Sequence, residues 1–322
     1  MPQNGNAKVQ HYVPQLILRG FTEGENQINV FDKSTSKKFK SNIRKAAAES
    51  KFYDFEFDDN EGSLEQELSK IETKIAPVIK EIKDEKSISG LTVHQRRELS
   101  DFVSLQFVRT PQYRYRWQQM GDILKNWLQE HVVDEEQHII ERAGNPDEAK
   151  LAHIQQINAY KVFSEQFFKK PWILFRTTSK KPFWLSDNPI VLQNIREAKG
   201  RGNVGLGVEG IEIYFPISKS LCLAMMCPSN RDMVKSLMAV KEKNPELALT
   251  IRQDWSPITA LDQGFCTGEA VLTPQDTVTN INSLQVINSS RFIFASENKF
   301  SLAEEMLSET PELREGPKIV AG

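Results

Sequence analysis

Cysteine is scarce in this chain and histidine nearly as scarce: 322 residues carry three cysteines and five histidines. Cys222, Cys227 and Cys266 are odd in number and form no C-x-x-C, so neither a disulfide framework nor a thiolate zinc site is encoded. That usage suits a reducing compartment, and the expected location is the cytoplasm. None of His11, His94, His131, His138 and His153 stands in H-E-x-x-H or another ligand spacing, so histidine-based metal chemistry is not expected and no metal ligand is assigned. No run approaches the roughly 18 apolar residues of a membrane helix. The opening MPQNGNAKVQHYVPQ has no basic region followed by an apolar one, so neither export nor membrane insertion is expected. An excess of one charge is also missing. Lys+Arg at 41 against Asp+Glu at 43 leaves a net charge of -2, which excludes a global field for polyanions and requires any such site to be a local patch. The dinucleotide, P-loop and serine-hydrolase glycine motifs are absent. The glycine-rich stretch 200–210 precedes no helix signal and reads as a flexible hairpin or loop.

What is present is patterning of two kinds. The apolar run Val13 to Phe21 starts at Pro14, a residue suited to a first helical turn, and INVFD (Ile28 to Asp32) alternates like a strand. The polar stretch Lys33 to Lys38 then predicts a hairpin resumed at Phe39. From Ser63 the period becomes helical: Leu64, Leu68, Ile71, Ile75, Val78 and Ile79 share a face, with Ser63 and Gln66 spaced as a capping box. A second helical tract opens at Thr92 and runs through Leu99, Phe102, Val103 and Phe107 toward Trp127, with a break at Pro111. Residues 147 to 169 continue the helical half. From Trp172 the segments WILFRTT, PFWLSD, PIVLQ, IEIYFPI and LCLAMMC read as strands. A helix over Pro274 to Asn288, the strand RFIFAS (Arg291 to Ser296) and an amphipathic helix from Ser301 to Glu309 follow. The acidic DFEFDDNEG (Asp54 to Gly62) reads as a solvated loop, and the polar tail 310–322 as flexible. The fold class expected is α+β. An N-terminal β-hairpin and a helical half (about 63–170) pack on a C-terminal β-rich half (about 171–309), in a single domain spanning 1–309.

Four groups of residues could carry chemistry. In HYVPQLILRGF, His11 titrates near neutrality and Arg19 is a permanent cation, an acid/base and anion clamp; helix capping and an ion pair explain the same residues structurally. The stripe Phe102, Gln106, Arg109, Tyr113, Arg116 would place two guanidinium groups and a phenol on one helix face, if Pro111 did not interrupt it. Arg109 continues an apolar stripe, where a charge must be paired, with a structural partner or with a ligand. In WLSDNPI, Ser186, Asp187 and Asn188 sit at a strand end, where polar groups on a rigid frame form sites and where Asp-Asn-Pro also makes ordinary turns. Glu65 and Glu72 share a helix face and could bind Mg²⁺ or divide acid and base roles, although most such pairs merely border a core.

The segments HYVPQLILRGF, INVFDK, AAESKFYDF, LEQELSKIETKIAPVI, LQFVRTP, WLSDNPI and SSRFIFAS, in that order, resemble the bacterial domain of unknown function (DUF) 4238 family over nearly the whole chain. LILRG stands where an aromatic and a further polar residue (FYLRN-like) are expected, which leaves His11 and Arg19 in place. The resemblance implies that His11, Arg19, Asp32, Tyr53, Glu65, Glu72, Arg109, Ser186, Asp187 and Arg291 lie in characteristic segments, and it assigns none of them a role. The first expectation is a hydrolase of a phosphodiester or nucleotide, with His11 and Asp187 catalytic and Arg19, Arg109, Tyr113, Ser186 and Asn188 binding substrate. Mg²⁺ is the one cofactor this chemistry suggests. The alternative is a non-catalytic module in which arginines with Trp172, Trp184 and Tyr113 bind a nucleotide or nucleic-acid end. The partner expected is a small-molecule or nucleic-acid ligand, and not a membrane.

Overall fold

A computed structural model describes residues 9–24, 26–57, 60–131, 137–196, 203–244 and 254–319. The opening residues 1–8, residues 58–59 of the acidic segment, the first part of the glycine-rich stretch and the last three tail residues therefore lie outside the described residues. No helix among the described residues is long and apolar enough to cross a membrane.

Strand β1 (Val9–His11) pairs antiparallel with β4 (Ala48–Ser50), and between them lie the short helix α1 (Gln15–Leu18), a 3-10 turn (Arg19–Phe21) and the hairpin β2 (Gln27–Asp32) and β3 (Lys37–Asn42). Pro14 caps α1 in extended geometry, as its fixed φ allows. Every residue of β2 from Ile28 to Asp32 is buried, whereas β3 carries Lys37, Lys38 and Lys40 on an outer edge, where charge discourages further strand addition. The acidic segment read as a loop is instead a second hairpin, β5 (Asp54–Phe57) with β6 (Asn60–Ser63). Its register sets Phe55 against Gly62, and the Phe55 ring lies where a Cβ on Gly62 would be, 2.6 Å from Cζ. A glycine there lets the ring cover the strand, which composition alone does not reveal.

The helical half follows the expected pattern closely. Helix α2 (Glu65–Glu85) buries Leu68, Ile75, Val78, Ile79 and Ile82. Its start differs from expectation: Leu64 is the N-cap and has no capping side chain, Ser63 Oγ accepts only a long 3.5 Å bond from Glu65 N, and the Ser63–Gln66 box does not form because Ser63 ends β6. Helix α3 (Val93–Val108) is opened by Thr92, which forms a reciprocal capping box with Gln95. Pro111 starts α4 (Pro111–His131) rather than continuing α3, because its fixed φ and missing N–H suit a first helical position better than an interior one, although α2 carries Pro77 inside it. Helices α5 (Gln137–Arg142), α6 (Pro146–Asn158) and α7 (Lys161–Phe168) complete this half.

Beyond it, β7 (Trp172–Arg176), β8 (Leu185–Ser186), β9 (Val191–Gln193), β10 (Glu212–Ser218) and β11 (Leu221–Met226) coincide with the strand-like segments. Residues 203–210 belong to the connection between antiparallel β9 and β10. Helices α8 (Pro228–Lys243) and α9 (Ser256–Thr267), β12 (Val271–Leu272), α10 (Gln275–Asn288), β13 (Phe292–Ala295) and α11 (Ser301–Glu309) follow. The fold is α+β, with one five-stranded sheet in the order β12-β7-β11-β10-β9 and one four-stranded sheet in the order β3-β2-β13-β8. The N-terminal hairpin is thus not an appendage of the helical half. Strand β2 pairs with β13 from Asn29↔Ala295 to Asp32↔Phe292, tying the chain's beginning to its end. The main core runs from Tyr12 to Phe294 and draws on both halves, while a smaller one around Phe31, Trp184 and Phe300 seals the four-stranded sheet against α11.

The tail read as flexible is held as far as Ile319: Arg314 Nη1 donates to Ser36 Oγ at 2.7 Å, Gln112 Nε2 to the Pro317 carbonyl at 2.7 Å, and Ile319 N to Gln119 Oε1 at 2.8 Å. At the other end, Gly20 lets the 3-10 turn lie on the β10–β11 connection, where Lys219 N donates to Gly20 O at 2.8 Å. A Cβ on Gly20 would meet the Ile217 carbonyl oxygen at 2.6 Å and Ser218 Cα at 2.8 Å, both backbone atoms. Gly20→Ala is expected to lower stability by about 1–3 kcal/mol, read as a lower urea midpoint at unchanged m-value.

Candidate functional site

Strand β1 carries Gln10 inward and His11 at the margin of the core. His11 Nε2 lies 3.0 Å from the Ile43 carbonyl. A carbonyl oxygen only accepts, so Nε2 holds the proton and Nδ1 holds the lone pair, with no protein partner for Nδ1 among the described residues. Burial lowers the pKa of this imidazole below its usual value, Arg109 adds to the effect, and the Ile43 bond and Glu72 only partly oppose it. His11 is therefore neutral at pH 7.

Arg109 stands at the C-cap of α3, where the chain turns ahead of Pro111. Its side chain is 0 % exposed. Nη1 donates to Glu72 Oε1 at 2.8 Å and Nε to Gln106 Oε1 at 3.0 Å, while Nη2 is buried with no hydrogen-bond partner. An orphan donor of this kind costs about 1–3 kcal/mol and is uncommon in folded proteins. Gln106 is held in turn by the Tyr12 carbonyl at 3.0 Å. One helical face of α2 supplies both Glu72 and Glu65. Glu65 sits in the first turn, where the helix dipole favours the anion, yet burial, and after it the charge of Glu72, raise its carboxyl from 4.5 to about 7 against the pull of Arg109. Tyr53 closes the group: its phenol donates to the His11 carbonyl at 2.9 Å, and burial pushes its pKa far above the usual value. Gln10 braces the adjoining hairpin, donating to Asp54 Oδ1 at 2.6 Å and accepting from Tyr53 N at 2.6 Å.

His11, Tyr53, Glu65, Glu72 and Arg109, from four parts of the chain, thus form one partly sealed charge cluster. Of the residues singled out in the sequence it unites His11 and Arg109 with the glutamate pair. Gln10 is not among the residues the sequence singles out, and Gln106 enters only as a member of the α3 stripe, although a glutamine among apolar residues is the same kind of signal as Arg109. Arg19 is exposed and makes no contact with the cluster.

The expected partnership of His11 with Asp187 does not form as a contact. Asp187 is 1 % exposed, and its oxygens accept from the amides of Ser290, Arg291 and Phe292, each at 2.7 Å. Burial raises its pKa, the three amide bonds work the other way, and its lone pairs are committed to the backbone. Ser186 Oγ bonds Gln285 Oε1 at 2.7 Å, and Asn188 accepts from Thr110 Oγ1 and donates to the Asn288 carbonyl, each at 3.0 Å. WLSDNPI is a strand-end turn locked into its surroundings, which is the structural reading of those residue types. Tyr113 and Asn188 instead line a separate cleft of about 520 Å³ with Phe107, Phe163 and Arg116. Arg116 stacks on the Tyr113 ring at 5.0 Å and has no carboxylate partner among the described residues. Trp172 and Trp184 are core residues and do not line that cleft.

The model of one family covers residues 9–299, and its description is Protein of unknown function (DUF4238). The chain belongs to this family. No curated protein and no solved structure matches it. The family's description names no chemistry, so the site has to be judged on geometry. For a metal, no group of three or more His, Cys, Asp or Glu is gathered among the described residues. Glu72, the better placed of the two glutamates, is held by the Arg109 guanidinium, a cation that would repel Mg²⁺ from the pair.

Two outcomes check these assignments. The folded state of this DUF4238 member keeps the Glu65 proton between pH 4.5 and about 7 while the unfolded chain loses it, so Glu65 makes stability fall as pH rises through that window. Glu65→Gln is expected to flatten the fall and to gain about 2 kcal/mol at pH 8, with little change at pH 4.5, in denaturant titrations. Asp187→Asn puts an amide NH₂ where backbone N–H groups need an acceptor and is expected to cost about 2–4 kcal/mol.

Proposed function

We propose that the chain is a hydrolase with a metal-independent acid–base pair, His11 and Glu65, acting on a phosphodiester or nucleotide. One observation carries the reading: the usual order of the two side chains is inverted, with the histidine pushed below its ordinary pKa and the glutamic acid raised to about 7. Close to neutrality the base is deprotonated while about half of the acid still carries its proton, the condition under which both act in one step. His11 Nδ1 takes a proton from the attacking water as the oxygen–phosphorus bond forms. Glu65 gives its proton to the leaving oxygen as the other ester bond breaks. Arg109, wholly buried and paired with Glu72, acts through its field rather than by contact, favouring negative charge that develops beside His11, and Glu72 and Tyr53 position Arg109 and His11. Three free cysteines agree with work in the reducing cytosol.

A second reading rests on the Tyr113 cleft. Its aromatic wall and the carboxylate-free Arg116 suit the planar base and phosphate of a nucleotide or a nucleic-acid end held without turnover. Assay of the purified protein on bis-p-nitrophenyl phosphate, nucleotides, RNA and DNA, with and without Mg²⁺, separates the two. Under the first reading His11→Ala loses about 10²–10⁴-fold in kcat, and the rate declines above pH 7 as Glu65 ionises. Equal turnover by His11→Ala removes the histidine from the mechanism. Binding without turnover, lost in Arg116→Ala and kept in His11→Ala, establishes the second.

A further inference from the structure

A cavity of about 630 Å³ lies between the five-stranded sheet and helices α9 and α10. Its volume falls in the range of small-molecule sites. Phe175, Met226, Leu261 and Val271 give it apolar walls, and among the described residues Glu212 and Asp276 are its only charged lining residues, with no described lysine, arginine or histidine lining it. Neither carboxylate is ion-paired with a described residue. This cavity is separate from the residues of the proposed hydrolytic site.

Glu212 is held in place by neutral groups. Its Oε2 accepts from Gln193 Nε2 at 2.6 Å and from the Tyr214 phenol at 2.7 Å, and Asn280 Nδ2 fixes Gln193 by donating to its Oε1 at 2.8 Å. The other oxygen, Oε1, has among the described residues only a long 3.4 Å contact from Asn230 Nδ2. Neutral donors orient a carboxylate without cancelling its charge, and a half-buried anion beside apolar walls lacks the solvation it has in water. Tyr214, 3 % exposed, holds its proton firmly because burial and Glu212 both disfavour the phenolate, so it stays a donor to Glu212. The Tyr214 and Phe175 rings stand 6.3 Å apart at 31°, presenting aromatic surface beside the carboxylate. Negative charge, π-surface and an apolar body together select a cation with an apolar or aromatic frame.

We propose that this cavity binds a small organic monocation, a primary amine on an apolar or aromatic body, with Glu212 as its counter-ion. Calorimetric titration of the full chain tests it with tryptamine, phenethylamine and hexylamine, and with tryptophol and indole-3-propionate as neutral and anionic isosteres of tryptamine. The result expected is saturable binding of at least one amine. Tryptophol and indole-3-propionate bind at least tenfold more weakly than tryptamine, and Glu212→Gln brings tryptamine to the tryptophol level. Ala260→Trp, which fills the cavity and leaves Glu212 in place, abolishes binding, and His11→Ala leaves it unchanged. Failure of all three amines to bind overturns the proposal, as does equal affinity for tryptamine and tryptophol. It also falls if either cavity variant, with a wild-type melting temperature, binds tryptamine as tightly as the parent chain. Should Glu212→Gln not fold, the isostere comparison on the parent chain together with Ala260→Trp decides.

Discussion

The junction of the chain's two ends is held by buried charge. Asp187, at the end of β8, gathers the amides of three successive residues at the entry to β13, and thereby sets where that strand begins. On the neighbouring strand, Asp32 and Arg291 form a bidentate pair at 3.1 and 2.7 Å, which with the Ser34 and Thr35 bonds overcomes burial and holds the Asp32 carboxyl down at about 2. Lys33, the next residue, is wholly buried. It gives its ammonium to the carbonyls of Val286, Ser289 and Glu315, and burial lowers its pKa to about 8 although Asp187 favours the cation. A buried charge tolerates little displacement, because losing a partner in a low-dielectric interior costs several kcal/mol. The register of β2 against β13, and the seat of the tail beside both, follow from these few contacts.

That junction leaves the amino-terminal segment in one orientation, with Gln10 and Tyr12 inside and His11 at the margin. The candidate site depends on this placement more than on its own hydrogen bonds. His11 and Glu65 differ from ordinary surface groups only by partial removal from water and by the charges of Glu72 and Arg109, and those conditions exist because β1, α2 and the end of α3 pack together. Desolvation pushes a carboxylic acid up and an imidazole down, so one environment separates the two in opposite directions.

Much of the secondary structure was legible because it rests on local rules. Thr92 with Gln95 states a helix start, Pro111 states a break, and the apolar stripe of α2 states a buried face. Where legibility failed, the missing information was a partner. Helix α8 buries only Val234 and so shows no stripe, and Met233 and Val240 stay exposed. The β5–β6 hairpin is announced by a ring lying over Gly62 rather than by hydrophobic alternation. Ser63 has the chemistry of a cap, but β6 claims its backbone. The polar tail looked unable to order itself, and it does not do so alone: Gln112, Gln119, Lys33 and Ser36 tether it.

The sequence by itself determined the α+β class, most element positions, the membership in DUF4238 and the suspicion that His11, Arg109 and the two glutamates were too polar for their surroundings. It pointed to Asp187 as the companion of His11, because a carboxylate at a strand end among aromatics reads as free for chemistry. Only the tertiary structure decided that Asp187 is consumed by three backbone amides while Glu65 keeps an unsettled proton. The physical reason is that a carboxylate's role is set by what surrounds it in three dimensions, donors that neutralise its lone pairs or a neighbouring charge that raises its pKa, and neither is a property of the residue's place in the chain.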